Sequence, residues 1–245
     1  MQNKCIVFTD GAARGNPGRG GWGSIVYTEK QPVSYIVELG GYNAHTTNNQ
    51  MELQAVISAL HYVYTNYRDI DVTTVYSDSK YVVSGITDWI DGWIKRGWKT
   101  SAGEAVQNRE LWEQLYSVKK SILSTIVFVR IDGHFGIPGN ERCDRIATRF
   151  ADNLAPELYD GVFSQYPNQN ILDVSSHESG IKKVRPKKSV ASAGDWYISV
   201  VDGQLERHAT WDECKSRTHK KSARYKRVSN SSDEREQLKA WGISM

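Results

Sequence analysis

The chain of 245 residues is poor in several things that would decide its class. It has three cysteines, Cys5, Cys143 and Cys214. An odd number at such wide spacing gives neither a disulfide framework nor a zinc site, so buried or idle thiols are expected. No apolar run approaches the roughly 18 residues that span a bilayer. The start, MQNKCIVFTD, runs directly into a strand pattern without the charged and apolar regions of a secretory signal, so a cytoplasmic location is expected, with no membrane partner. Positive charge is missing from residues 155–180, which hold four acidic residues and no Lys or Arg. It is concentrated instead in residues 181–245, with 15 Lys and Arg against 8 Asp and Glu, while residues 1–154 balance at 16 of each. A net charge of +3 thus hides a neutral body and a basic C-terminal part, a pattern suited to a nucleic-acid-binding appendage.

Hydrophobic periodicity predicts strands over 4–10, 21–29 and 33–42, with the Gly-rich stretch Gly15 to Gly23 as the turn between the first two. A helix is expected over 48–65, capped by Thr47 or Asn48, with Leu53, Val56, Ile57, Leu60, Val63 and Tyr64 as its inward stripe. A strand over 72–77, short helices over 80–86 and 88–96, a helix over 104–121, a strand over 124–131 and a helix over 139–153 follow. The fold class is therefore α/β, a mixed five-stranded sheet flanked by helices. Residues 155–194 are rich in Ser, Asn, Gln and Pro without sustained period and read as a flexible linker between a domain at 1–154 and a small α+β domain at 195–245. Too small to fold easily alone, the last unit shows a strand at DWYISVV, a helix over 212–218, a strand at ARYKRV and a final helix at DEREQLKAW.

Four carboxylates stand out against this pattern. Asp10 and Asp78 fall where strands end, in VFTDGAARGNPGRGGWG and VYSDSKYV, and Glu52 and Asp144 border inward helix stripes, in TTNNQMEL and GHFGIPGNERCDRIA. Burying an unpaired carboxylate is costly, and four that converge repel unless a cation neutralises them. Three Asp and one Glu with no Cys or His cluster suit a hard, oxygen-seeking ion, so divalent-metal phosphodiester chemistry is the first reading. For a lone Glu in a first helical turn, the helix dipole would be explanation enough, and it is the set of four that argues for metal. His134 lies among Gly133, Gly136 and Gly139, in a permissive loop where an imidazole can exchange a proton near neutral pH. Glu141, a first-turn helix charge, stays outside the core set.

In order and spacing, FTDGAARGNPGRGGWG, TTNNQMEL, YSDSKYV, WIDGWIKRGWKT and GHFGIPGNERCDRIA resemble type 1 ribonuclease H over Lys4 to about Asn153. The resemblance implies the ribonuclease H fold and two-metal hydrolysis of the RNA strand of an RNA–DNA hybrid, leaving 5′-phosphate and 3′-hydroxyl ends. It implies that Asp10, Glu52, Asp78 and Asp144 hold two Mg²⁺ ions, with Mn²⁺ as a substitute, and that His134 assists proton transfer or product release. It also makes Asn16, Thr47, Asn48 and Asn49 substrate ligands, where helix capping is the competing use of the TTNN run. Lys80 stands where the best-known bacterial members carry Gln, and a phosphate contact is expected of it. By the same resemblance Lys95, Arg96 and Lys99 would form a basic handle for the DNA strand, diluted here by Asp88 and Asp91. Trp89 and Trp93, at i and i+4, read as helix packing. The chain is expected to act as a monomer.

The tail, with WYISV, TWDEC and ARYKRV, resembles the hybrid-binding, viroplasmin-like domain of ribonuclease H1, which usually stands at the other end of the chain. By that resemblance Trp211 and Tyr225 pack on the DNA sugar–phosphate backbone and Lys226 and Arg227 meet phosphates, although DGQLERH replaces the usual basic turn. The bland alternative makes the two aromatics core residues of a tiny domain. Deleting residues 156–245 is expected to spare the active site and weaken hybrid binding and its salt dependence. The alternatives, a related polynucleotidyl transferase of the same fold or an idle hybrid-binding protein, fit poorly with the GHxGxxxNExxD loop and with the presence of all four carboxylates and His134.

Overall fold

The computed structural model describes residues 3–30, 32–133, 136–175, 196–218, 223–228 and 231–243. It divides into two compact units, residues 1–182 and 183–245. The first opens with an antiparallel meander, β1 (Lys4–Gly15), β2 (Gly18–Glu29) and β3 (Tyr35–Thr46), then α1 (Asn48–Asn66) and β4 (Val72–Ser77). Next come α2 (Lys80–Ser84), a π-helical turn (Gly85–Trp89) and α3 (Ile90–Lys95), then α4 (Arg109–Ser121), β5 (Thr125–Arg130), α5 (Pro138–Ala151) and β6 (Asp160–Val162). The sheet order is β5-β4-β1-β2-β3-β6, with β1, β4 and β5 parallel and the other pairs antiparallel.

β-Strand alternation sends Val7, Val26, Val37 and Val75 to one face, where Leu53, Val56 and Leu60 of α1 and Trp112 and Leu115 of α4 cover them. Phe8, Ile25, Tyr27 and Ile36 face the other way, onto Ile137 and Cys143 at the start of α5. The Gly-rich stretch expected as a turn is mostly strand, and only Asn16 and Pro17 separate β1 from β2. Its glycines answer to helix packing: a Cβ on Gly21 would stand 2.3 Å from the Ala147 carbonyl oxygen, and one on Gly23 2.5 Å from that of Cys143. α4 begins at Arg109 instead of 104, because Asn108 takes a left-handed φ of 56° and Lys99 bridges to Ala105 ahead of it.

Two expectations need correcting. The sheet has six strands, since β6 pairs with β3. Residues 155–175 are also part of the first unit instead of linker: Tyr166 and Ile171 are buried and join Tyr159, Phe163, Leu172 and Val174 over the Phe8–Ile25 face. Few apolar residues are needed when each fills a gap beside α5, so no period announces them. The rest of the expected linker, 176–194, lies outside the described residues.

The second unit is an antiparallel sheet, β8-β7-β9, from β7 (Trp196–Val201), β8 (Gln204–His208) and β9 (Ala223–Val228), with α6 (Trp211–Thr218) and α7 (Ser231–Ala240). β8 adds a strand to those the sequence pattern predicts; Asp202 and Gly203, both at positive φ, make the two-residue turn that Asp-Gly favours in hairpins. Both faces of β7 are buried: Ile198 packs with Val228 and Leu238, and Ser199 bonds His208 on the opposite face at 2.7 Å.

Candidate metal centre

β1 and β4 are parallel neighbours paired as far as Thr9 and Ser77, so Asp10 and Asp78 leave adjacent strands at the same level. Thr47 caps α1: its Oγ1 accepts from the Gln50 amide at 3.3 Å and its own amide donates to Gln50 Oε1 at 2.9 Å, a reciprocal box that fixes the first turn. That turn crosses β1 so closely that a Cβ on Gly11 would stand 2.3 Å from the Glu52 amide nitrogen. As a result Asp10, Glu52 and Asp78 each offer a carboxylate oxygen, and the three oxygens lie within 4.8 Å of one another. Asp144 is not in that trio. It is exposed on α5 and accepts from Thr148 Oγ1 at 3.3 Å, but it is close enough to raise the Asp10 pKa.

Like charge and burial set the electrostatics. Burial first, then Asp78 and Asp144, push the Asp10 carboxyl up to about 8, against a hydrogen bond of 2.8 Å from the Gly11 amide. Burial, Asp10 and Asp78 likewise hold Glu52 well above the ordinary carboxylate range. Glu52 Oε1 accepts from Asn48 Nδ2 at 3.3 Å, while Oε2 is buried with no protein partner. An orphaned buried oxygen amid converging carboxylates is what a cation would satisfy, so the donor set fits a hard divalent metal ion.

Sequence reasoning missed two residues here. Buried Asn140 donates through Nδ2 to Asp78 Oδ2 at 3.4 Å, and its own Oδ1 has no protein partner. Gly133 backs onto the same carboxylate: a Cβ there would meet Asp78 Oδ2 at 2.8 Å. Both stand in the stretch that carries His134 and Asp144, where a small amide one helical turn before an Asp was the available signal. Gly11→Ala tests the tight crossing of β1 and α1. Overpacking should cost about 1–3 kcal/mol in chemical denaturation and displace Glu52, so calorimetric Mg²⁺ binding should weaken in the folded variant. Unchanged metal binding would show that the crossing does not place Glu52.

The other expected residues divide. Asn16, Asn48, Asn49, Lys80, Lys95, Arg96 and Lys99 are exposed, so they are accessible to a ligand. Thr47 spends its hydroxyl on the cap, and Arg96 Nε donates to the Lys99 carbonyl at 3.1 Å. Trp89 and Trp93 pack as read, with ring centroids 5.7 Å apart, and Trp93 continues onto buried Trp112. His134 lies outside the described residues, as does the side chain of Trp211. In the second unit, Tyr225 pairs with Ser199 and Arg227 with Tyr197, whereas Lys226 pairs with Ile198. Alternation therefore places Tyr225 and Arg227 on the face that Arg217 of α6 reaches to bond Ser199, and Lys226 on the opposite face. Tyr225 is 51% exposed, which is not the burial of a core aromatic.

Comparison with known proteins places these features. A family profile described as RNase H matches residues 2–152. A ribonuclease H of Cyanothece sp. is 44% identical over 152 residues, 62% of this chain and 92% of that protein. A ribonuclease H of Lachnoclostridium phytofermentans is 45% identical over 159 residues, 63% of this chain and 97% of that protein. Among solved structures, LC9-RNase H1, a type 1 RNase H with the type 2 active-site motif, superposes with a TM-score of 0.56 at 27% identity, covering 73% of this chain and 85% of that one. The profile spans more than half of the sequence and contains the whole carboxylate cluster, so the chain belongs to the ribonuclease H family.

Proposed function

We propose that this protein is an endoribonuclease that hydrolyses the RNA strand of RNA–DNA hybrids at the Asp10–Glu52–Asp78 centre, with Asp144 completing the ligand set. The observation that carries the reading is the convergence of three carboxylates, one with an orphaned buried oxygen, inside the family-matched domain. Bound there, two Mg²⁺ ions, or Mn²⁺ in their place, would stabilise charge on the attacking and leaving oxygens of the phosphodiester. The chain's own groups prepare the site. Gly11 and Asn48 orient Asp10 and Glu52 by hydrogen bonds, and Asn140 does the same for Asp78. Asp10, which holds its proton up to about pH 8 without a cation, gives it up when it becomes a ligand.

Substrate choice rests on the 2′-hydroxyl, which separates RNA from DNA. The exposed amides of Asn16, Asn48 and Asn49 are suited to it and to nearby backbone, and Lys80, Lys95, Arg96 and Lys99 to phosphates. We assign His134 to proton transfer or product release, and Trp211, Tyr225, Lys226 and Arg227 to a second grip on the hybrid. Tyr225 and Arg227 share one face of β9, which supports these two as the pair that acts together, with Lys226 serving the opposite face. A labelled hybrid, with single-stranded RNA, duplex RNA and duplex DNA beside it, should show cleavage of the hybrid's RNA strand alone and only with Mg²⁺ or Mn²⁺. Equal cleavage of duplex RNA, or cleavage in excess chelator, would overturn the reading.

A further inference from the structure

The family match ends at residue 152, yet the next twenty residues are built into the same unit. At their centre is Glu38 of β3, whose side chain is 1% exposed. Its Oε1 accepts from Arg142 Nε at 2.7 Å and from the Tyr166 hydroxyl at 2.6 Å. Its Oε2 accepts from Arg142 Nη2 at 2.6 Å and from the Tyr159 amide at 3.1 Å. Arg142 also donates to the Glu157 carbonyl at 3.1 Å. Burial would raise the Glu38 pKa, but Arg142, Tyr166 and the Tyr159 amide outweigh it and hold the carboxyl below its ordinary value, so the pair is ionised and bidentate. Three of the groups around this ion pair, at 157, 159 and 166, come from the segment after the matched domain.

Arg142 stands on α5 two residues before Asp144. Among the described residues, the Asp144 carboxylate takes its one hydrogen bond from Thr148 of the same helix, so its place is that of α5 itself. α5 rests on glycines, Gly21 and Gly23 of β2 and Gly40 of β3. A glycine floor allows close approach but offers few side chains to interlock with the helix, so polar contacts near its start add to the packing of Ile137 and Cys143 on Phe8 and Ile25 in fixing its position. We propose that Tyr166 is a positioning residue for metal binding: with Tyr159 it holds Glu38, Glu38 holds Arg142, and Arg142 sets the first turns of α5 and so the place of Asp144. The segment 155–173 then acts on metal affinity from behind α5, without touching the ligands themselves. This rests on the reading of Asp144 as a metal ligand.

The test uses the full-length protein. Tyr166→Phe, which leaves Glu38 its Arg142 and Tyr159 partners, should raise the Mg²⁺ concentration for half-maximal hybrid cleavage about tenfold and weaken calorimetric Mg²⁺ binding in step, the size seen when groups behind metal ligands are removed. The rate at saturating Mg²⁺ should stay near that of the unchanged protein. In an Asp144→Asn background the same substitution should no longer alter Mg²⁺ binding, because the residue it positions has lost its charge. Glu38→Gln should shift the titration in the same direction. A Tyr166→Phe protein that melts earlier but titrates like the unchanged one has lost stability alone, which overturns the proposal, as does an equal shift in the Asp144→Asn background. If the unchanged protein neither binds Mg²⁺ nor cleaves hybrid, the ligand assignment falls; if it does both and Tyr166→Phe titrates identically, only the positioning role falls.

Discussion

Asp10→Asn should reduce hybrid cleavage by about 10³-fold or more and, without metal, make the protein more stable than the unchanged chain. The two effects share a cause. Asn keeps the side chain's size and its acceptor for the Gly11 amide, but it is neutral without having to take up a proton on folding, as Asp10 must beside Glu52, Asp78 and Asp144. The loss of cleavage follows from losing a central ligand, and the gain in stability from removing a carboxyl that must otherwise take up a proton or a cation to sit in the cluster. Full activity in the folded variant would remove Asp10 from the mechanism. A lower melting temperature without metal would show that the cluster is not under electrostatic strain.

The same cluster fixes a pH dependence. Asp10 rises from an ordinary value of 3.8 to about 8 on folding, so between those values the folded state holds a proton that the unfolded chain has released. Its stabilising contribution is therefore fully present below about pH 4 and is lost as pH rises through about 8, at up to roughly 1.4 kcal/mol per pH unit. Glu52 shifts in the same direction and adds to the loss. Denaturant titrations in chelator should show the unchanged protein weakening from pH 5 to pH 8 and Asp10→Asn weakening less. Excess Mg²⁺ should reverse the trend, because ligand binding favours the deprotonated carboxylates that high pH supplies.

Strand ends and helix stripes made Asp10, Glu52 and Asp78 legible, because alternation and the 3.6-residue period say which way a side chain points before any tertiary contact is known. Asp144 was legible as a residue at the edge of a stripe, and it is more exposed than the other three for that reason. The glycines of β2 were misread because the same residue serves a turn and a close helix crossing, and only the position of α5 separates the two. Asn140 escaped because its role depends on Asp78, 62 residues away. The segment after 155 escaped for a related reason. Tyr166 and Ile171 lie in irregular chain without period, and the groups that hold Tyr166 in place, Glu38 and Arg142, belong to a strand and a helix far off in sequence.

Where the chain is cut should therefore matter more than how much is removed. A protein ending at residue 154, the boundary that composition suggests, loses Tyr166 and Ile171 from the Phe8–Ile25 face, each contributing about 1.5–3 kcal/mol by burial. It also strips the Tyr166 and Tyr159 partners from a buried carboxylate, a further cost of about 1–3 kcal/mol. Against the roughly 5–15 kcal/mol that holds a domain together, those losses leave a chain that is largely unfolded or close to it at 37 °C, with little cleavage. A protein ending at 182 retains every one of these contacts and should keep its melting temperature and its cleavage at saturating hybrid. It should nonetheless bind hybrid more weakly, with a shallower dependence of affinity on salt, because the basic 183–245 unit is gone and fewer counterions are released on binding. Equal melting temperatures for the two truncations would show that residues 155–173 only lie on the domain surface, and an unchanged salt slope at 182 would remove the second unit from substrate binding.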